Sequence, residues 1–392
     1  MLEVDAALRT VLAHARPRAA VSGTPTLGRV LGEDLRADLD SPPFAKALMD
    51  GYAIRSADLS DGHGSFAVVE EIAAGALPTL AVTAGMATRI FTGAKLPDGA
   101  DAVIKQEMAV VAGDGRVTLS DPTAKPGRNI MARGTEVRAG EVVLPKGMVL
   151  TPVALGLCAT IGRATVRQVP PAVVAILTTG DELVAAGVTP TGAQIRDSNG
   201  PMLAGLVTRA GGVPRVVGTA RDDEAILTAM LRDGLTADVL LLVGGVSVGK
   251  FDLGPQVLQA LGVTVHFHKV RMKPGKPLLF GTVGGTLVFG LPGNPVSAFV
   301  GFELFVRPAL RVLAGLPPAW CPPLSGTLVA AFAASNDRPT FHPVRVSGTS
   351  VTPLPWTGSA DLRALLAADA LWPLPAGDVS YAAGDAVSVV PI

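Results

Sequence analysis

Residues 238–254 carry an apolar run into a glycine-rich turn, Gly244-Gly245-Val246-Ser247-Val248-Gly249, with Asp252 just beyond it. Gly244, Gly245 and Gly249 let a backbone come close and turn its N–H groups toward a phosphate or oxyanion, while the Asp252 carboxylate would hold a metal ion. Three further loops have related chemistry: Thr178–Leu183, which contains Gly180, Asp181 and Glu182; Lys273-Pro274-Gly275-Lys276-Pro277; and Leu291-Pro292-Gly293-Asn294-Pro295. Their lysines would neutralise phosphate, and the neighbouring carboxylates suit a Mg²⁺ ion bridging to it. Each loop alone is a weak signal, because glycine turns after strands are routine. Their sum is stronger.

These loops need strands to aim them. Val239–Val243 is too short for a helix and too uniformly apolar for a half-exposed strand, so it suits the middle of a parallel sheet, whose strand ends bind ligands. Strands at Ala172–Leu177, Val213–Val217, Val263–His268 and Thr286–Gly290 alternate with helices near Pro201–Ala210, Asp222–Leu231 and Pro295–Val306, the pattern of a doubly wound α/β domain. Proline clusters at Pro42-Pro43, Pro170-Pro171 and Pro317-Pro318 divide the chain. The expected organisation is a discontinuous helical and linking domain over 1–45 plus 140–168, an inserted β domain over 46–139, the α/β domain over 169–318 and a small C-terminal β barrel over 319–392. Val4, Ala7, Leu8, Val11 and Leu12 fall at helical spacing, and the expected partner of that helix is 140–168, where Thr151-Pro152 opens a helix with Val153, Leu157 and Ile161 on one face.

Composition removes several classes. The 392 residues carry no formal net charge and only 4% are aromatic, so neither a basic stripe nor a base-stacking platform for nucleic acid is present. Cys158 and Cys321 are too few for a disulfide framework. No apolar run reaches membrane-spanning length and the first residues lack the basic flank of an export signal, so a cytoplasmic location with no membrane partner is expected.

Taken in order, the motifs resemble the molybdopterin molybdenumtransferases, the MoeA family that includes the E domain of gephyrin. The resemblance covers nearly the whole chain and rests on Ser41-Pro42-Pro43-Phe44, Met49-Asp50-Gly51-Tyr52-Ala53, Ile90-Phe91-Thr92-Gly93-Ala94, Gly127-Arg128-Asn129-Ile130 and Thr179-Gly180-Asp181-Glu182-Leu183. It continues through Asp197-Ser198-Asn199, the Gly244–Gly249 turn, Met272–Pro277 and Leu291–Pro295. It implies a cytoplasmic, Mg²⁺-assisted transferase for the last step of molybdenum cofactor biosynthesis: molybdate enters the dithiolene of adenylylated molybdopterin and AMP leaves. It also implies a homodimer with active sites at the subunit interface, and molybdopterin adenylyltransferase and apo-molybdoenzymes as candidate partners.

By position in the motifs, Asp50, Thr92, Glu136, Glu182, Asp252, Lys273 and Lys276 match the family's site residues. Glu182 and Asp252 would bind Mg²⁺ or orient water, Lys273 and Lys276 would hold phosphate or molybdate, and Asp50, Thr92 and Glu136 would reach across the interface toward pterin and molybdate. Gly180, Asp181, Ser198, Gly244, Gly245, Ser247, Gly249, Pro274, Gly275, Pro292, Gly293 and Asn294 would cradle the nucleotide and pterin.

Each residue also has a structural reading. Asp50 and Thr92 precede glycines and suit turns, Glu182 and Asp252 suit helix caps, and Asp197-Ser198-Asn199 suits an N-cap for a helix starting at Pro201. His266 and His268, two apart, would share one strand face, with no third metal ligand nearby. Departures from the family pattern fall at Ala47 and Leu48, at Glu136, at Lys250 and Leu253, at Gly358–Ala364 and at Asp369. They leave a degenerate or tungstate-preferring paralogue as one alternative. The others are molybdopterin adenylyltransferase, which resembles the α/β domain alone, a non-catalytic scaffold, and an α/β-hydrolase, since Gly245-Val246-Ser247-Val248-Gly249 fits G-x-S-x-G with Asp252 and His342 following.

Overall fold

A computed structural model describes residues 1–246, 253–318 and 323–392. The chain forms two compact units, one from residues 1–22, 28–32 and 167–392, the other from 23–27 and 33–166.

The first unit is built on a six-stranded sheet. Across it the strands run Val213–Ala220, Val173–Thr179, Val239–Val243, Thr286–Leu291, Leu279–Val283 and Thr264–His268. The first four are mutually parallel; Leu279–Val283 runs against them and pairs antiparallel with the strands on both of its sides. The uniform apolarity of Val239–Val243 has a direct cause. Alternate residues face opposite layers of the core: Val239, Leu241 and Val243 pack with Val174, Ile176 and Phe289, whereas Leu240 and Leu242 pack with Ala175, Leu177 and Val288. With all five residues of this strand at most 1% exposed, each contributes on the order of 1.5–3 kcal/mol of burial.

Helices Asn199–Arg209 and Glu224–Gly234 follow the first two strands of the chain order, and Pro295–Gly301 follows the strand Thr286–Leu291. The last helix does not run on regularly to Val306: Phe302–Val306 is a π turn, after which Arg307–Leu313 resumes the α form. One strand of this sheet escapes the sequence reading, Leu279–Val283. It pairs with Thr286–Leu291 through Gly284-Gly285, whose positive φ angles of 54° and 94° match a two-residue hairpin turn. The sheet is therefore mixed, with an antiparallel edge.

The helix Val4–His14 buries Ala7 and Val11 in the core of this same unit, beside Phe280 and Leu310, so residues 140–168 are not what covers its apolar face. Toward the C-terminus, strands Leu324–Leu328, Ser350–Pro353, Thr340–Ser347, Ala370–Leu374 and Ala386–Pro391 close into a five-stranded barrel around Val344, Val351, Trp372 and Val389.

In the second unit, a six-stranded mixed sheet takes the order Ala102–Lys105, Gly51–Ile54, Met86–Ile90, His63–Ile72, Arg116–Ser120 and Ala109–Val111. Ile54, Phe66, Ile104 and Leu119 fill its core. Helix Pro152–Thr160 starts where Thr151-Pro152 suggested, with Thr151 Oγ1 accepting from the Ala154 N–H at 3.2 Å. Its buried face is Ala154, Cys158 and Ile161, one residue round from the expected one, and Val153 is 73% exposed.

Candidate active site

At the carboxyl ends of the parallel strands lies a cleft of about 630 Å³. The ends of Val173–Thr179 and Val239–Val243, the N-terminus of helix Asn199–Arg209, and the turn 291–295 all open into it, as the switch point of a doubly wound sheet requires. Gly180, Glu182, Ser198, Gly244, Gly245, Pro292, Gly293 and Asn294 line it, so four separate motifs converge on one wall.

Backbone geometry fixes the floor. Gly244 has φ +83°, its N–H donates to the Leu291 carbonyl at 3.1 Å, and a Cβ there would sit 2.6 Å from the Thr179 carbonyl oxygen. Only glycine lets strand ends 179 and 243 approach so closely. The Asn294 side chain donates Nδ2–H to Ser359 Oγ at 3.0 Å and the Val296 N–H donates to the Ser359 carbonyl at 3.0 Å, which brings Ala360 to the cleft. The divergent stretch 358–364 is thus part of the cleft wall.

Helix Asn199–Arg209 begins two residues earlier than expected. Asp197, not Ser198, caps it: Oδ1 accepts from the N–H groups of Asn199 and Gly200 at 2.9 and 3.1 Å, and Oδ2 accepts from Thr178 Oγ1 at 3.0 Å. The Ser198 hydroxyl makes no capping bond and lines the cleft. Glu182 caps no helix either. A short strand, Leu183–Val184, follows it and pairs with Ile195–Arg196, leaving the Glu182 carboxylate exposed on the cleft wall.

Asp222 was not singled out from the sequence. It lines the cleft, its Oδ1 accepts from Thr179 Oγ1 at 3.2 Å, and its N–H donates to Asp181 Oδ1 at 3.2 Å. The available signal was its place at the end of strand Val213–Ala220, the third parallel strand to reach this edge. Asp181 itself is not in the lining. Neither are Lys273, Pro274, Gly275 and Lys276, although Pro277 is. Lys273 is tied by its backbone to the C-terminal barrel, its N–H donating to the Pro339 carbonyl and its carbonyl accepting from Phe341, both at 2.8 Å. Ser247, Gly249, Lys250 and Asp252 lie outside the described residues, as does Cys321.

In the other unit, Asp50 and Thr92 meet across 42 positions of sequence. Asp50 Oδ1 accepts from the Thr92 N–H at 2.8 Å and from its Oγ1 at 2.7 Å, and these two bonds hold the Asp50 carboxyl below the usual carboxylate range. Glu136 is exposed, accepting from Ser41 Oγ at 2.7 Å, with Lys46 Nζ at 3.9 Å.

The two histidines do not share a strand face. A bulge between Val265 and Phe267 breaks the alternation, so His266 stacks on His14 and Phe280 while His268 Nε2 meets the Val246 carbonyl on the opposite side. Among the described residues no group of three or more His, Cys, Asp or Glu is arranged to hold a metal ion. His342 bonds the Leu354 carbonyl inside the barrel through Nε2, at 3.0 Å. No described helix is long and apolar enough to cross a membrane.

Three regional models match the chain in order. Residues 2–162 match the model of the MoeA N-terminal region, domains I and II; 175–312 match a probable molybdopterin binding domain; and 325–392 match the MoeA C-terminal region, domain IV. A molybdopterin molybdenumtransferase of Staphylococcus aureus is 34% identical over 95% of this chain and 91% of its own length. Molybdopterin molybdenumtransferase 2 of Mycobacterium tuberculosis is 37% identical over 93% of each. The crystal structure of a molybdopterin biosynthesis MoeA protein from Pyrococcus superposes with a TM-score of 0.86 at 30% identity, covering 100% of this chain and 99% of that one. With relatives this similar over nearly their whole length, and with all three regional models matched in order, the chain belongs to the molybdopterin molybdenumtransferase (MoeA) family.

Proposed function

We propose that the protein is a working molybdenumtransferase, which inserts molybdate at the dithiolene of adenylylated molybdopterin and releases AMP. The observation that carries this reading is the convergence of Glu182, Ser198, Gly244, Gly245 and Gly293 on one cleft at the strand ends of a chain 34–37% identical to named molybdenumtransferases.

The cleft suits a nucleotide phosphate. Gly244 and Gly245 have positive φ and carry no side chain, so an anion can come close to the backbone at this strand end, and the start of the eleven-residue helix Asn199–Arg209 lines the same cleft. In the same cleft the exposed Glu182 and Asp222 offer hard oxygen donors, which fits Mg²⁺ held by one or two carboxylates and substrate phosphate. We assign Glu182, with Asp252, as the carboxylates that hold it. Mg²⁺ bound there would neutralise charge at the phosphoanhydride.

Lys273 and Lys276 are assigned to oxyanion binding, molybdate included, by charge and motif position. Asp50, Thr92 and Glu136 are assigned to the pterin and molybdate end of the site, contributed by the partner subunit of a homodimer. Thr92 would supply a hydroxyl donor, although in this structure that hydroxyl is engaged with Asp50, so binding would exchange one acceptor for another. We assign a cytoplasmic location with this reading.

Glu182→Ala tests the assignment. The variant is expected to keep its melting temperature and oligomeric state, because the carboxylate is exposed and caps no helix, and to lose AMP release. Unchanged turnover would remove Glu182 from the mechanism.

A further inference from the structure

Asn199 stands at the start of the helix whose N-terminus opens on the cleft. It is 6% exposed and lines the cleft wall. Its Nδ2–H donates to the Gly293 carbonyl at 2.7 Å, which fixes the amide orientation, since the reverse flip would set two oxygens against each other. Its N–H donates to Asp197 Oδ1 at 2.9 Å. The remaining polar atom, Oδ1, is buried and has no hydrogen-bond partner among the described residues. A buried acceptor without a donor is costly, and folds retain one chiefly where something else satisfies it.

Phosphate and molybdate cannot do so, because both present oxygen acceptors to a carbonyl oxygen. The complement is a hydrogen-bond donor, and a neutral N–H at the edge of a ring is one that also suits the apolar surfaces beside it. Pro277, Pro292, Pro295 and Val246 line the same cleft and offer the flat apolar surfaces on which a heteroaromatic ring packs. We infer that Asn199 Oδ1 accepts a hydrogen bond from an amino-substituted heteroaromatic ring of the substrate, and so orients that ring in the cleft. The inference rests on the proposed function, whose substrate carries two such rings, a 6-aminopurine and a pterin. Asn199 is thus a specificity-determining residue.

Binding by the full-length protein, read by calorimetry, separates the sources without relying on turnover. The probes are AMP, purine riboside 5′-monophosphate, which lacks the 6-amino group, and 6-hydroxymethylpterin. If the purine is the ring read, wild type favours AMP over the desamino nucleotide by roughly tenfold, the scale of one hydrogen bond to a buried acceptor, and Asn199→Ala removes the preference. If the pterin is read, the two nucleotides bind alike and Asn199→Ala weakens 6-hydroxymethylpterin by roughly tenfold while leaving AMP unchanged. Equal weakening of all three ligands would show that Asn199 only positions the 291–295 turn, and unchanged binding of all three would show no role; either overturns the inference while leaving the proposed function standing. Asn199→Ser, smaller but still polar, serves if the alanine variant does not fold. Failure of wild type to bind any probe would refute the proposed function and this inference with it.

Discussion

Gly244→Ala perturbs the point where fold and site are the same object. Two penalties add there. A non-glycine residue at φ +83° pays about 1–2 kcal/mol for left-handed backbone. The new Cβ would then lie 2.6 Å from the Thr179 carbonyl oxygen, a backbone atom that cannot rotate aside, so two strand ends must separate at an overpacking cost of about 1–3 kcal/mol. The expected total is about 2–5 kcal/mol. Gly211→Ala is the control. It has φ +81°, lies in the same unit, and its Cβ would meet nothing within 4 Å, so only the conformational penalty applies. For a unit of this size, scanning calorimetry should show Gly244→Ala melting roughly 4–20 °C below wild type and Gly211→Ala only about 2–8 °C below. AMP affinity should fall for Gly244→Ala alone, because the displaced strand end is the floor of the cleft. Equal melting shifts for the two variants would refute the claim that close approach of strand ends 179 and 243 is what Gly244 secures.

Glu303, fully buried in the π turn, pairs with Arg307 at 2.9 Å and with Arg209, and burial pushes its carboxyl upward against the pull of both arginines. Arg307→Ala should therefore cost about 3–5 kcal/mol in chemical denaturation, whereas Glu303→Leu combined with Arg307→Met should recover most of it. Burial pushes the His342 imidazole below its ordinary value, with the bond to the Leu354 carbonyl opposing. The unfolded chain then binds the proton more readily, so stability falls as pH drops through and below about 6.5, and His342→Gln should flatten the melting temperature between pH 7 and pH 5. Thr151→Ala removes the cap of helix Pro152–Thr160 and should cost about 1 kcal/mol in thermal melts; no loss would mean that the proline at N1 suffices.

What the sequence made legible divides along physical lines. Val239–Val243 was readable to the residue because a strand buried on both faces must be apolar at every position, and the turn chemistry after it is local. Leu279–Val283 was missed because its own residues are ambiguous, although Gly284-Gly285 beside it carried the hairpin signal. The turn after Thr286–Leu291 and the Asp197-Ser198-Asn199 segment were found as motifs, but which side chain caps and which faces the cleft depended on where helix Asn199–Arg209 starts, and only geometry decides that. His266 and His268 were placed on one face by a period-two count that a single bulge defeats. Asp222 had only its place after strand Val213–Ala220 as a signal, because its partners Asp181 and Thr179 are some 40 positions away and meet it only when Val173–Thr179 and Val213–Ala220 pair in parallel. The unpartnered Oδ1 of Asn199 has no sequence signature at all.

Whether this cleft serves a molybdate-dependent transfer is read most directly as AMP release from adenylylated molybdopterin by the purified protein with Mg²⁺, with and without molybdate, followed by reconstitution of an apo-molybdoenzyme. Release that requires molybdate, together with an active reconstituted enzyme, is the predicted result. Tight binding of adenylylated molybdopterin with no molybdate-dependent AMP release would contradict it.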